Sequence, residues 1–132
     1  MNQILTWHTL GSDGNQYSIG PAYYLNADYE PFAVRIYAEV APDVEDAQFN
    51  IYVGGVTIFP DRATHTYHPQ GGISVRAAAK TYIALSKDRN SEDFSDDFAE
   101  DVLVSDSWVT CNLIKDGGGK NFTVQLEIAP VE

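Results

Sequence analysis

The sequence predicts an all-β protein, an antiparallel β-sandwich of jelly-roll-like form with about eight short strands and little helix. Three observations predict it. Apolar residues recur at every second position in several runs, the period of a strand with one buried face. Those runs are rich in β-branched and aromatic side chains, which suit a pleated surface. Tight Gly, Asp and Pro punctuation separates them, with no long stretch of helical period between. Strands that each bury one face find their complement in a second sheet, which gives a sandwich. A closed barrel satisfies the same pattern, and the sequence does not separate the two.

The elements follow in chain order. Residues 1–10 carry Ile4, Leu5, Trp7 and Leu10, an apolar segment read as a docking arm that pairs with a neighbour. Asp13-Gly14 lies between this segment and the run 17–25, a hairpin signal because Gly tolerates positive φ. Phe32, Val34, Ile36, Ala38 and Val40 alternate with Ala33, Arg35, Tyr37 and Glu39. Phe49, Ile51 and Val53 alternate with Gln48, Asn50 and Tyr52, and Gly54-Gly55 then reverses the chain into the run 56–59. Pro31, Pro42 and Pro60 stand at strand ends, where a missing N–H does least harm. Residues 60–78 read as loop with one short strand near 73–76, and 81–86 as another strand. Within 87–106, Phe94, Phe98 and Val102 stand four apart, which fits either a short helix capped by Ser91 or a loop pinned by the two phenylalanines. Val109, Cys111 and Leu113 alternate with Trp108, Thr110 and Asn112, and Phe122, Val124, Leu126 and Ile128 alternate with Thr123, Gln125 and Glu127. The loop Asp116-Gly117-Gly118-Gly119-Lys120 between these two runs reads as a looser hairpin. The 132 residues suit one domain, 1–132.

Composition narrows the function classes. Eight Lys and Arg face nineteen Asp and Glu, a formal net charge of −11. That balance disfavours nucleic acid and anionic membrane, which both reward a basic patch. No apolar run approaches the roughly 20 residues of a membrane span. The first residues show no basic-then-apolar secretory pattern. Cys111 is the single cysteine, so no disulfide forms within the chain. It falls on the inward face of its run and reads as a buried, inert thiol.

No constellation meets the demands of catalysis. There is no G-x-S-x-G elbow, and the glycine run before Lys120 lacks phosphate-loop spacing. Eight carboxylates (Asp88, Glu92, Asp93, Asp96, Asp97, Glu100, Asp101 and Asp106) could offer calcium its oxygen ligands. The EF-hand pattern fails, because Asp93 stands at the sixth position from Asp88 where that loop has Gly. The stretch reads better as a solvated or partner-facing segment. His65 and His68 beside Asp61 lack a second cluster to close a zinc site. No cofactor, metal or catalytic residue is therefore expected. Tyr23, Tyr24 and Tyr29 cluster in sequence, while Tyr37, Tyr52 and Trp108 fall opposite the core positions. Outward aromatics serve protein interfaces or stack on sugar rings.

The run Phe49-Asn50-Ile51-Tyr52-Val53-Gly54-Gly55-Val56-Thr57-Ile58-Phe59 resembles a recurring element of tailed-bacteriophage virion proteins, an alternating strand followed by a small turn and a short strand ending in Thr-Ile-Phe. The C-terminal part is similar to their ending: Phe98 to Leu103, then Trp108 to Ile114, then Gly117 to Leu126. Glu100 stands where that pattern often has Gly, and Phe122 where it often has Leu. The likeness spans about residues 32–128, and its motifs are structural ones of the sandwich. It implies a virion structural protein made in the host bacterial cytoplasm. The expected role is capsid decoration as a homo-oligomer, most simply a trimer, bound to the major capsid protein. A tail or baseplate component with a carbohydrate or receptor-binding role is the alternative, and a glycan is then a candidate partner. The expected partner-interface residues are Ile4, Leu5, Trp7, Tyr37, Tyr52 and Trp108. A small carboxylate-pair hydrolase is a third, lesser alternative.

Overall fold

A computed structural model describes residues 2–9, 17–59, 73–75, 77–85 and 103–131. They form nine strands: β1 Gln3–His8, β2 Tyr17–Tyr24, β3 Tyr29–Val40, β4 Ala47–Val53, β5 Val56–Thr57, β6 Ile73–Val75, β7 Thr81–Leu85, β8 Trp108–Lys115 and β9 Lys120–Pro130. All pairings are antiparallel. One sheet runs β1-β9-β3-β7; the other runs β2-β8-β4, with β6 and β5 sharing the far edge of β4. With the two-residue β5 set aside, eight strands divide evenly between two sheets and the chain repeatedly crosses from one to the other. This is the jelly-roll arrangement that the alternation predicts. No helix occurs among the described residues. The helix-or-loop alternative over 87–106 falls almost wholly outside them, as do the carboxylates 88–101 and Asp61, His65 and His68.

The predicted inward sets of β8 and β9 are buried: Val109, Cys111 and Leu113 in one sheet, Phe122, Val124, Leu126 and Ile128 in the other. Phe49 of β4 meets Phe122 of β9 edge to face across the sandwich, with centroids 5.0 Å apart, the geometry that ring quadrupoles favour. β4 departs from simple alternation. Gln48 and Asn50 are buried together with Phe49 and Ile51. Asn50 Oδ1 accepts hydrogen bonds from the Ile51 N–H and the Thr57 hydroxyl, so its burial leaves the acceptor satisfied.

β3 keeps the predicted phase from Val34 to Ala38 and departs from it at both ends. A bulge lies between Pro31 and Ala33, where Pro31 pairs with Ile128 and Ala33 with Glu127. The extra residue resets the alternation. Tyr29 and Pro31 are buried before it, and Ala33, Val34, Ile36 and Ala38 after it. Phe32 and Val40, expected on the apolar face, are exposed.

Two expected hairpins are crossovers between sheets. β1 pairs with β9 and β2 with β8, so the segment holding Asp13-Gly14, itself outside the described residues, joins strands of different sheets. β8 and β9 likewise lie in opposite sheets, so the glycine loop carries the chain over the end of the sandwich. Gly117 has φ +62°, and its carbonyl accepts the N–H groups of Asp43, Val44 and Glu45 at 3.1, 3.0 and 3.4 Å. A Cβ on Gly117 would overlap the Glu45 carbonyl. Glycine is required there by close backbone approach as well as by φ. Gly54-Gly55, by contrast, is the two-residue hairpin expected, with φ +60° and +84° and Val53 opposite Val56.

Candidate functional site

The arm expected at residues 1–10 is an integral strand. β1 runs beside β9 from the Gln3–Ile128 pair to the His8–Thr123 pair. Its odd positions point inward, so Leu5 and Trp7 are core residues and cannot meet a partner; this corrects the interface expectation for both. Trp7 is fully buried, donates its indole N–H to the Pro21 carbonyl at 2.7 Å, and meets the Tyr23 ring edge to face at 5.5 Å. The free edge of β1 is also occupied. The Tyr23 hydroxyl accepts from the Thr6 N–H at 3.2 Å and donates to the Thr6 carbonyl at 2.7 Å. A phenol thus closes a ladder position that would otherwise invite another strand. Ile4, at an even position, remains 53% exposed.

The other expected interface residues divide between the two outer faces. Register places Tyr24 beside Trp108 and Tyr52 beside both Thr110 and Thr57, all on the outer face of the five-stranded sheet. Tyr24 and Trp108 are 50% and 55% exposed and pack edge to face with centroids 5.2 Å apart. The Tyr24 hydroxyl donates to Asp106 Oδ1 at 2.6 Å. That hydrogen bond and the neighbouring carboxylate raise the phenol pKa. Tyr52 is half-buried, and below it Ser18 donates to Asn112 at 3.2 Å. The outcome is a small aromatic patch with a polar border. Tyr24 is the member that sequence reasoning missed. It lay within the Tyr23–Tyr24–Tyr29 cluster, which the structure splits into one half-buried ring (Tyr23), one exposed (Tyr24) and one buried (Tyr29). The bulge in β2 between Ile19 and Tyr23 leaves the phase unchanged: Ile19 lies opposite Cys111 and Tyr23 opposite Val109, both inward, so Tyr24 faces out opposite Trp108.

Tyr37 lies on the opposite side of the molecule, on the outer face of the four-stranded sheet. It sits across from Thr81 on β7 and Thr123 on β9, and the next row holds Ile83, Arg35 and Gln125. A groove of about 340 Å³ crosses these two rows. Arg35 donates through Nη2 to Glu127 Oε1 at 2.7 Å, and Asn2 donates to Glu127 Oε2 at 2.7 Å. The Asn2 amide and the Arg35 guanidinium hold the Glu127 carboxyl below the usual glutamate range. His8 and Thr123 approach to 3.2 Å beside the groove.

Cys111 is fully buried, and desolvation pushes its thiol pKa up, the opposite of what a nucleophile needs. Among the described residues, no group of three His, Cys, Asp or Glu side chains stands where it could hold a metal ion. No helix of the described residues is long and apolar enough to cross a membrane.

No protein-family model matches this chain. No curated protein matches it at a significant level. Among solved structures it is similar to the CBM36-1 domain of a multidomain xylanase from the hindgut metagenome of Trinervitermes trinervoides, with 10% identity and a TM-score of 0.47 over 100% of this chain and 99% of that one.

Proposed function

We propose that this chain is a non-catalytic structural domain of a tailed-phage virion, a decoration protein that docks on the capsid surface as a homo-oligomer. The observation that carries the reading is the exposed Tyr24–Trp108 pair, with half-buried Tyr52 on the same outer sheet face. Rigid aromatics with a polar border are the composition that protein interfaces favour. The sequence resemblance to virion proteins supplies the setting, and an acidic chain with a single buried thiol suits a domain assembled in many copies. The test is co-sedimentation of purified chain with particles that lack it. Saturable binding that Trp108→Ala weakens by about tenfold is the expected result, equivalent to about 1.4 kcal/mol. A strict monomer that leaves the particles unlabelled would end this reading. A tail or baseplate protein that binds a receptor is the second reading. It is favoured by the groove around Tyr37, which lies on the face away from the aromatic patch.

A further inference from the structure

We propose that the groove on the outer face of the four-stranded sheet binds a neutral saccharide chain, with Tyr37 as the stacking platform. The inference gives a ligand class to the receptor-binding reading and rests on it for biological setting. Its volume of about 340 Å³ is at the small end of ligand sites, which run from roughly 300 to 1,000 Å³. Its floor is three rigid strands, so the lining is preorganised. Half of the Tyr37 surface is exposed, and Ile83, 58% exposed, stands in the neighbouring row. An aromatic face and an aliphatic side chain are what the C–H face of a pyranose packs against.

The polar lining points to hydroxyl groups as the ligand's other half. Thr81, Thr123 and Gln125 are neutral and can both donate and accept. Thr81 on β7 and Thr123 on β9 flank Tyr37 of β3 across two strand spacings, about 10 Å, and Gln125 stands two residues further along β9. Charge then selects among polyols. Among the described residues Arg35 is the one cation of the lining, and Glu127 already engages it at 2.7 Å. Glu127 lies outside the lining, with one oxygen on Arg35 and one on Asn2, and among the described residues no carboxylate lines the groove. The whole chain carries −11, which repels an anionic glycan. What remains is an uncharged ligand with alternating apolar and hydroxylated surfaces.

The experiment is an amide-resolved NMR titration of the full chain with millimolar neutral hexasaccharides of glucose, xylose, mannose and N-acetylglucosamine, with an oligogalacturonate as the acidic control. At least one neutral probe is expected to give saturable shifts at Tyr37, Thr81, Ile83, Thr123 and Gln125. Tyr37→Ala should weaken it about tenfold, whereas Tyr37→Phe, which keeps the ring, and Trp108→Ala, on the other face, should not. Raising salt from low to high should change affinity by less than about twofold, since no ion pair forms. The proposal is overturned by flat titrations with every neutral probe, by shifts that map to Trp108, or by binding of the acidic probe alone. It is equally overturned if these amides move with protein concentration and not with sugar, which makes the groove a contact between copies. Because soluble sugars are used, failure here leaves particle docking through Trp108 standing, and failure of docking leaves this result intact.

Discussion

Trp7 and Glu127 are single side chains whose surroundings fix measurable consequences. Trp7 fills the space between the sheets at the β1 edge and satisfies the Pro21 carbonyl. Trp7→Ala removes a large buried ring and orphans that carbonyl, so urea denaturation should show a loss of about 3–5 kcal/mol. Docking by whatever fraction stays folded should be unchanged, since the ring is not at the surface. Glu127 carries a pH signature. Its folded pKa lies below its ordinary value of 4.5. The folded carboxyl therefore binds fewer protons than the unfolded one at intermediate pH. Its contribution is complete above the unfolded value and drains away as pH falls through the folded one. Glu127→Gln should thus destabilise at neutral pH, and the gap to wild type should close as pH drops below 4.5. A gap that widens on acidification would refute the pairing with Asn2 and Arg35.

At the scale of elements, the two glycine turns look alike in sequence and differ in duty. A Cβ at Gly55 meets open space, so Gly55→Ala should cost only the left-handed backbone, about 1–2 kcal/mol. At Gly117 a Cβ runs into the Glu45 carbonyl, and the three N–H groups gathered on the Gly117 carbonyl would be pushed apart. Gly117→Ala should cost more than about 3 kcal/mol, read from thermal or urea unfolding of both variants side by side. Equal losses would mean that the crossover is not anchored to the 43–45 backbone. β1 makes the same point about edges. Its even positions look outward, yet Tyr23 occupies its free ladder position at Thr6, so it is not an open edge for strand addition.

For the molecule as a whole, charge and core act globally. A net charge of −11 on one small domain is self-repelling. Raising salt from low to physiological strength should therefore raise the melting temperature; a fall would contradict the repulsion. Cys111 lies in the middle of the sandwich core. A thiol reagent should leave it untouched in the folded protein and label it at the rate of global opening. Labelling that is fast under native conditions would mean that β8 opens locally. The two outer faces are separate surfaces on one rigid core, so substitutions at Tyr37 and at Trp108 should act independently.

The strands themselves were legible because period-2 alternation is a local property. The inward sets of β8 and β9 follow from the sequence alone, as do the Gly54-Gly55 turn, the short strand β6 and the outward positions of Tyr37 and Trp108. Pairing was not legible. The glycine run at 117–119 marks a reversal of the chain but not which sheet receives the next strand, because that depends on burying the faces of all the strands together. The bulge in β3 shifts the alternation by register with a distant partner, and so exposes Phe32. Trp7 looked like a docking residue because an apolar terminal segment has the same composition whether it meets its own core or a neighbour's. Only the tertiary structure, which gives β1 a partner in β9 and a cover in Tyr23, assigns it to this core.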